Sequence, residues 1–103
     1  MSPSAELWVA VMRIHLAIPG ARSLKDRRQV VKSLRDRIVN RFKVTCADVS
    51  GTESWSRAAL GLAGVSNDRA YLQGLLDDIE RYARNDPDAL AGTFEKDVFN
   101  YGD

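Results

Sequence analysis

The chain has 103 residues, of which 45% are apolar and 28% charged, and its formal net charge is +1. This length bounds it to one domain, expected over residues 6–99 with tails at 1–5 and 100–103. No apolar run approaches the ~20 residues that span a bilayer, so no membrane partner is expected, and the single cysteine, Cys46, rules out an intramolecular disulfide. The opening MSPSAE has neither a basic nor an apolar segment of a secretory leader, and the expected location is the cytoplasm.

The first regular element is expected over Glu6–Ile18, a strand. Trp8, Ala10, Met12, Ile14, Leu16 and Ile18 alternate onto one uniformly apolar face, which should meet the core. Leu7, Val9, Val11, Arg13, His15 and Ala17 fall on the other face. A strand largely apolar on both faces belongs in the middle of its sheet.

Pro19-Gly20 marks a turn, and Ser23 with Asp26 three residues on forms an approximate capping box for a helix over Ser23 to about Asn40. Leu24, Val31, Leu34, Ile38 and Phe42 recur at helical spacing and make its buried stripe. Lys25, Arg28, Lys32 and Arg35 make a second stripe beside it, with Arg37 and Arg41 on the opposite flank. From residue 19 to 43 there are nine basic and two acidic side chains, a charge of +7, whereas the rest of the chain holds six basic and twelve acidic, a charge of −6. The near-neutral total thus hides a dipolar molecule, which bears on association and not on fold.

Lys43–Ser50 reads as a second strand, residues 51–54 as a loop and Trp55–Ser66 as a third strand. Gly61 and Gly64 within it imply close approach of a neighbouring group. Ser66-Asn67-Asp68 starts a second helix, whose Leu72, Leu75, Leu76, Ile79 and Tyr82 share a face up to about Arg84. Asn85-Asp86-Pro87 ends it, and Thr93–Phe99 reads as the last strand, with Phe94 and Val98 on one face and Lys96 between them. The order is β-α-β-β-α-β. Two amphipathic helices must cover the one all-apolar sheet face, and right-handed crossovers then give an α+β, ferredoxin-like split sandwich: a four-stranded antiparallel sheet with two helices on one face. The first and third strands are its central pair.

The run IPGARSLKDRRQVVKSLRDRIVNRF, followed by W-x-R-A-x-L-G-x-A-x-V-S-N-D, resembles the YlxP-type bacterial family of unknown function. The marks are Pro19, Ser23-Leu24-Lys25, Arg41-Phe42, Trp55, Gly61 and Ser66-Asn67-Asp68, and the resemblance extends from about Glu6 to Phe99. It implies a ferredoxin-like fold, a cytoplasmic bacterial protein, and a gene often placed beside those for translation initiation and ribosome-binding factor A. It brings no catalytic residues. Acylphosphatases share the expected fold, but their glycine-rich loop and arginine motif are missing from this sequence.

No phosphate loop, nucleophile elbow or zinc spacing occurs, so no catalytic residue, metal ligand or cofactor is assigned. The candidate nucleic-acid contacts are Arg22, Lys25, Arg28, Lys32, Arg35, Arg37 and Arg41, with RNA or a ribosomal subunit as the expected partner. The competing reading is an ordinary solvated helix face, or one that docks an acidic protein. On the open sheet face, Val9, Val11, Ala59, Gly61 and Ala63 are small and apolar, which points to a homodimer interface. The first and third strands offer that face no aromatic for stacking bases. Trp55 reads first as a lid over one end of the core and second as a partner anchor, and Trp8 as core. His15, beside Arg13, is a lone histidine without a ligand cluster, with a small-ligand or enzymatic role at that pair the third-ranked reading. Cys46 reads as a small buried hydrophobe, and Asp77, Asp78 and Glu80 as a solvated helix face.

Overall fold

The computed structural model describes residues 5–51 and 54–102. The tail expected at residues 1–5 therefore falls outside them except for Ala5, as do Thr52 and Glu53 of the expected loop and Asp103. The elements are β1 (Trp8–Ala17), α1 (Leu24–Phe42), β2 (Thr45–Asp48), β3 (Arg57–Ser66), α2 (Arg69–Arg84) and β4 (Leu90–Asn100). They build one antiparallel sheet in the order β2-β3-β1-β4, the ferredoxin-like arrangement. β1 and β3 are the central pair, as their two-faced apolar content requires.

Register fixes which side chains meet. Ala10, Met12, Ile14 and Leu16 of β1 stand opposite Gly64, Leu62, Leu60 and Ala58 of β3, and this face is buried beneath the helices. Val31, Leu34 and Ile38 come down onto it from α1, and Leu72, Leu76, Ile79 and Ala83 from α2. At Gly64 a Cβ would meet Val44 Cγ1 at 3.4 Å and Leu75 Cδ2 at 3.6 Å, ordinary packing distances, so no approach closer than usual occurs there. Trp8 packs half-buried against the core's edge, with the Arg69 guanidinium 5.6 Å from its ring centre.

The capping box forms with a one-residue shift. Ser23 Oγ accepts from Asp26 N at 3.1 Å, and Asp26 Oδ2 accepts from Arg22 N at 3.0 Å. α1 runs two residues beyond the expected end because Phe42 still packs against the core and Lys43 closes the helix in the left-handed region at φ 58°. β2 and β3 are shorter than expected, and residues 55–56 form a turn before β3 begins at Arg57. β4 starts earlier, at Leu90, and takes in Asn100. Its pairing with β1 shifts register between Ile14 and Leu16, so that Gly92 and Thr93 together face His15. That bulge interrupts the alternation a sequence reading follows, which is why the strand's first three residues, Leu90, Ala91 and Gly92, were not evident.

Edge strand β4 turns Lys96 inward toward α2, where Nζ donates to Asp77 at 3.1 Å and Glu80 at 3.0 Å. An inward-pointing lysine on an edge strand discourages pairing with another sheet. No helix among the described residues is long and apolar enough to cross a membrane.

Candidate nucleic-acid interface

α1 sorts its side chains into flanks because each residue turns about 100° around the axis. Arg27, Val31, Leu34 and Ile38 point at the sheet. Arg37 and Arg41 occupy the flank facing α2, where both are engaged. Arg37 donates to Asp86 Oδ1 at 2.6 Å and to Tyr82 Oη at 3.3 Å, and the Arg41 guanidinium lies 5.1 Å from the Tyr82 ring centre and 5.7 Å from that of Phe42. Asp86 is a fixture of the fold: burial pulls its pKa up, but the bonds from Arg37 and from Ala89 N and Asp88 N prevail and hold it below the usual carboxylate range.

Lys25, Arg28, Lys32 and Arg35 lie on the other flank. Arg35 is close enough to β2 to oppose, by its charge, the effect of burial on the Cys46 thiol, whose pKa burial nonetheless pushes up to about 11. Their spacing along the axis is about 4.5–6 Å, from the 1.5 Å rise per residue. One carboxylate stands among them. Asp36 accepts from Lys32 Nζ at 2.6 Å and from Arg35 Nη2 at 3.1 Å, and these bonds lower its pKa. Toward the helix start, the side chains of Arg22, Lys25 and Arg28 have no ion-pair partner among the described residues. The seven sequence-selected cations therefore divide: five along the outer flank and start of α1, two spent on the junction with α2.

Arg27 belongs to neither group. It is 6% exposed, and its Nη1 donates to Ser54 O at 3.1 Å and to Arg57 O at 3.2 Å. The helix thereby holds the turn that carries Trp55. The Trp55 side chain is not the lid over the core that the sequence reading ranked first; it sits in the turn before β3, is 52% exposed and is not among the side chains packed against the core. Sequence reasoning passed over Arg27 because it counted as one more positive charge. Its place on the apolar stripe, four residues before Val31, was the available signal.

The open sheet face gathers the interface residues as expected from alternation. Val9, Val11, Ala59, Gly61 and Ala63 share this face of β1 and β3, with Val11 opposite Ala63, but Gly61 stands opposite Arg13 and Ala59 opposite His15. Gly61 admits the Val49 side chain closely, since a Cβ there would come within 3.1 Å of Val49 Cγ1 and the valine would have to shift. Val65 and Phe99 flank Val9, and Leu7 and Tyr101 extend the apolar strip. Phe99 and Tyr101 give the face aromatics at its β4 edge, which a search confined to the two central strands could not find. Arg13 and His15 meet a third group, Glu95, whose Oε1 lies 3.1 Å from Arg13 Nη1 and 2.7 Å from His15 Nε2. The His15 bond and then the Arg13 charge lower the Glu95 pKa. No cluster of three or more His, Cys, Asp or Glu side chains able to hold a metal occurs among the described residues. Asp77 and Glu80 pair with Lys96, Asp78 pairs with Arg81, and Glu80 also pairs with Arg84.

The chain is 29% identical over 68 residues to the uncharacterized protein YlxP of Bacillus subtilis (strain 168), an alignment covering 66% of this chain and 74% of that protein. Among solved structures, the de novo designed protein Foldit4 matches with a TM-score of 0.54 at 15% identity, covering 91% of this chain and 97% of the designed one. The de novo designed protein LFR1 1 with ferredoxin fold has a TM-score of 0.45 and 16% identity. The likeness to Foldit4 is one of fold alone. Residues 9–95 match the family described as "Protein of unknown function (DUF503)", and the chain belongs to that family, as its YlxP-type marks implied.

Proposed function

We propose that this protein is a non-enzymatic cytoplasmic RNA-binding domain. It takes the phosphate backbone of RNA, free or in a ribosomal particle, along the outer flank of α1. The observation that carries this reading is that Arg22, Lys25 and Arg28 are free of ion pairs among the described residues, while Lys32 and Arg35 continue the same line with only Asp36 between them. A helix fixes these cations without further ordering, so little side-chain entropy beyond their own is lost on binding. Arg37 and Arg41 are left out of the contact set because Asp86, Tyr82 and Phe42 occupy them.

The test is co-sedimentation with ribosomal subunits over a salt series, beside the Lys25→Glu/Arg28→Glu variant. Four phosphate contacts on single-stranded RNA correspond to a log–log salt slope of about −3. Binding with such a slope, lost in the folded variant, supports the reading. Unchanged binding by the variant, or none by the parent at low salt, refutes it.

A second role, homodimerisation through the open sheet face, is favoured by the exposure of Val11, Val65 and Phe99 on one continuous apolar strip. Back-to-back sheets would leave both α1 helices facing outward and double the basic surface. Sedimentation equilibrium of the protein and of Val11→Lys decides it: a parent dimer that the substitution splits supports the role, and a monomeric parent removes it.

A further inference from the structure

Trp55 occupies an unusual position for a large apolar side chain. It is 52% exposed, yet the backbone around it is tied down on both sides. Arg27 Nη1 holds the carbonyls of Ser54 and Arg57, and Ile18 N donates to Ser56 O at 2.8 Å. Ser56 N also donates to Ser54 Oγ at 3.3 Å. A turn fixed by a buried arginine from one side and by the end of β1 from the other presents an indole to solvent in a set place. No stability is gained from leaving that surface wet.

The surroundings say what would cover it. Arg27 reaches the turn from α1, and the next residue, Arg28, starts the outward turn of the helix onto its basic flank. Arg28 and Lys25, one helical turn earlier, are the free cations of that flank among the described residues. Arg57, exposed, lies two residues beyond Trp55. An exposed indole on a turn held by Arg27 of α1, together with unpaired cations on that same helix among the described residues, is the combination that single-stranded nucleic acid uses: phosphates on the cations, an unpaired base on the ring. An acidic peptide would satisfy the cations, but its carboxylates gain nothing from the indole, whereas every nucleotide carries a phosphate for the cations and a base for the ring.

We propose that Trp55 is a base-stacking platform at the end of the α1 stripe, so that the ligand is single-stranded rather than duplex RNA. This rests on the phosphate-binding reading of α1 and adds to it the form of the RNA. In a duplex every base is stacked and paired, and only the phosphates would be available. Stacking on the ring tolerates any base, so the selectivity is for strandedness and not for sequence.

The experiment measures fluorescence anisotropy of a labelled single-stranded oligouridylate and of an RNA duplex of equal length, with inorganic polyphosphate and poly-glutamate as competitors. The proteins are the parent, Trp55→Ala, Trp55→Phe and Lys25→Glu/Arg28→Glu, each checked for folding by circular dichroism and thermal melting. Trp55→Ala is expected to weaken the single strand about tenfold, within the range of base–aromatic stacking, and to leave polyphosphate competition unchanged. Trp55→Phe should restore most of the loss, and the double reversal should abolish both. If Trp55→Ala binds the single strand like the parent while the double reversal does not bind, the stacking platform is wrong and the α1 reading stands. If the parent binds duplex as tightly as single strand, or Trp55→Ala weakens polyphosphate as much as RNA, the platform is equally wrong. Poly-glutamate competing more strongly than polyphosphate, with a Trp55-dependent loss, would replace RNA by an acidic protein. No binding of any probe by the parent overturns both readings.

Discussion

Replacing Asp86 with alanine should cost about 3 kcal/mol, the sum of one unsatisfied buried donor at ~1–3 kcal/mol and lesser losses at two wetter partners. The carboxylate side chain is 2% exposed and accepts from Ala89 N at 2.7 Å, from Asp88 N at 3.0 Å and from Arg37 at 2.6 Å. Ala89 is fully buried, so its N–H would be left without water; Asp88 is exposed and recovers a water; Arg37 is nearly half exposed, so its pairing is screened. In a domain of this size ~3 kcal/mol is a melting shift of roughly 12–24 °C. Asp86→Asn keeps an oxygen for the two backbone donors but turns an amide toward the guanidinium, and should cost about half as much. Urea unfolding of both variants, with Arg37→Met to close a double-mutant cycle, measures each contribution. The pH dependence has a definite sign. Because the folded pKa is depressed, the stabilisation is complete above the unfolded value of about 4 and is lost as pH falls below it toward the folded pKa. Asp86→Asn should flatten that acid limb. An Asp86→Ala cost under ~1 kcal/mol would refute the assignment of this carboxylate as the clasp between α1 and the α2–β4 turn, since one buried donor alone exceeds it.

Arg27→Met should lower stability by about 2 kcal/mol through loss of the Ser54 and Arg57 carbonyl bonds, and limited proteolysis should then cut near Trp55. A variant as protease-resistant as the parent would show that Arg27 does not hold the turn. Lys96→Met should change stability by less than ~1 kcal/mol, because its ion pairs are partly exposed, while raising aggregation measured by light scattering. Cys46, with its thiol at about 11, should react slowly with a disulfide reagent at pH 8, where roughly one thiol in a thousand is ionised, and rapidly once urea unfolds the chain. Fast reaction of the folded protein would contradict the burial of that thiol.

Much of this fold was legible in order along the chain. The alternation in β1 named its core face residue by residue, and the spacing of Val31, Leu34 and Ile38 named that of α1. Both signals are local and periodic. Gly61 announced a close contact, although not that Val49 makes it, while Gly64 has only ordinary packing contacts. What resisted reading was less regular. β4 was shortened because a bulge at Gly92 and Thr93 breaks its period, and the open-face role of Phe99, inside the expected strand, emerged only once β4 paired with β1 opposite Val9. Glu95 joined Arg13 and His15 only through pairing of strands eighty residues apart in sequence.

The candidate site shows the same division more sharply. Charge composition located the positive helix, and helical geometry placed Arg37 and Arg41 apart from the stripe. Neither could say which cations are free, because that depends on carboxylates arriving from elsewhere. Asp86 claims Arg37 from the turn after α2, while nothing comparable reaches Lys25 or Arg28 among the described residues. Trp55 has the same lesson in reverse. Its apolar character argued for burial, and a turn clamped by Arg27 sends it to solvent. The sequence by itself determined element order, core faces and the charge dipole, since these follow from periodicity and residue type. Only the tertiary structure decided which charged and aromatic groups remain available to a partner, since availability depends on what the rest of the chain folds against them.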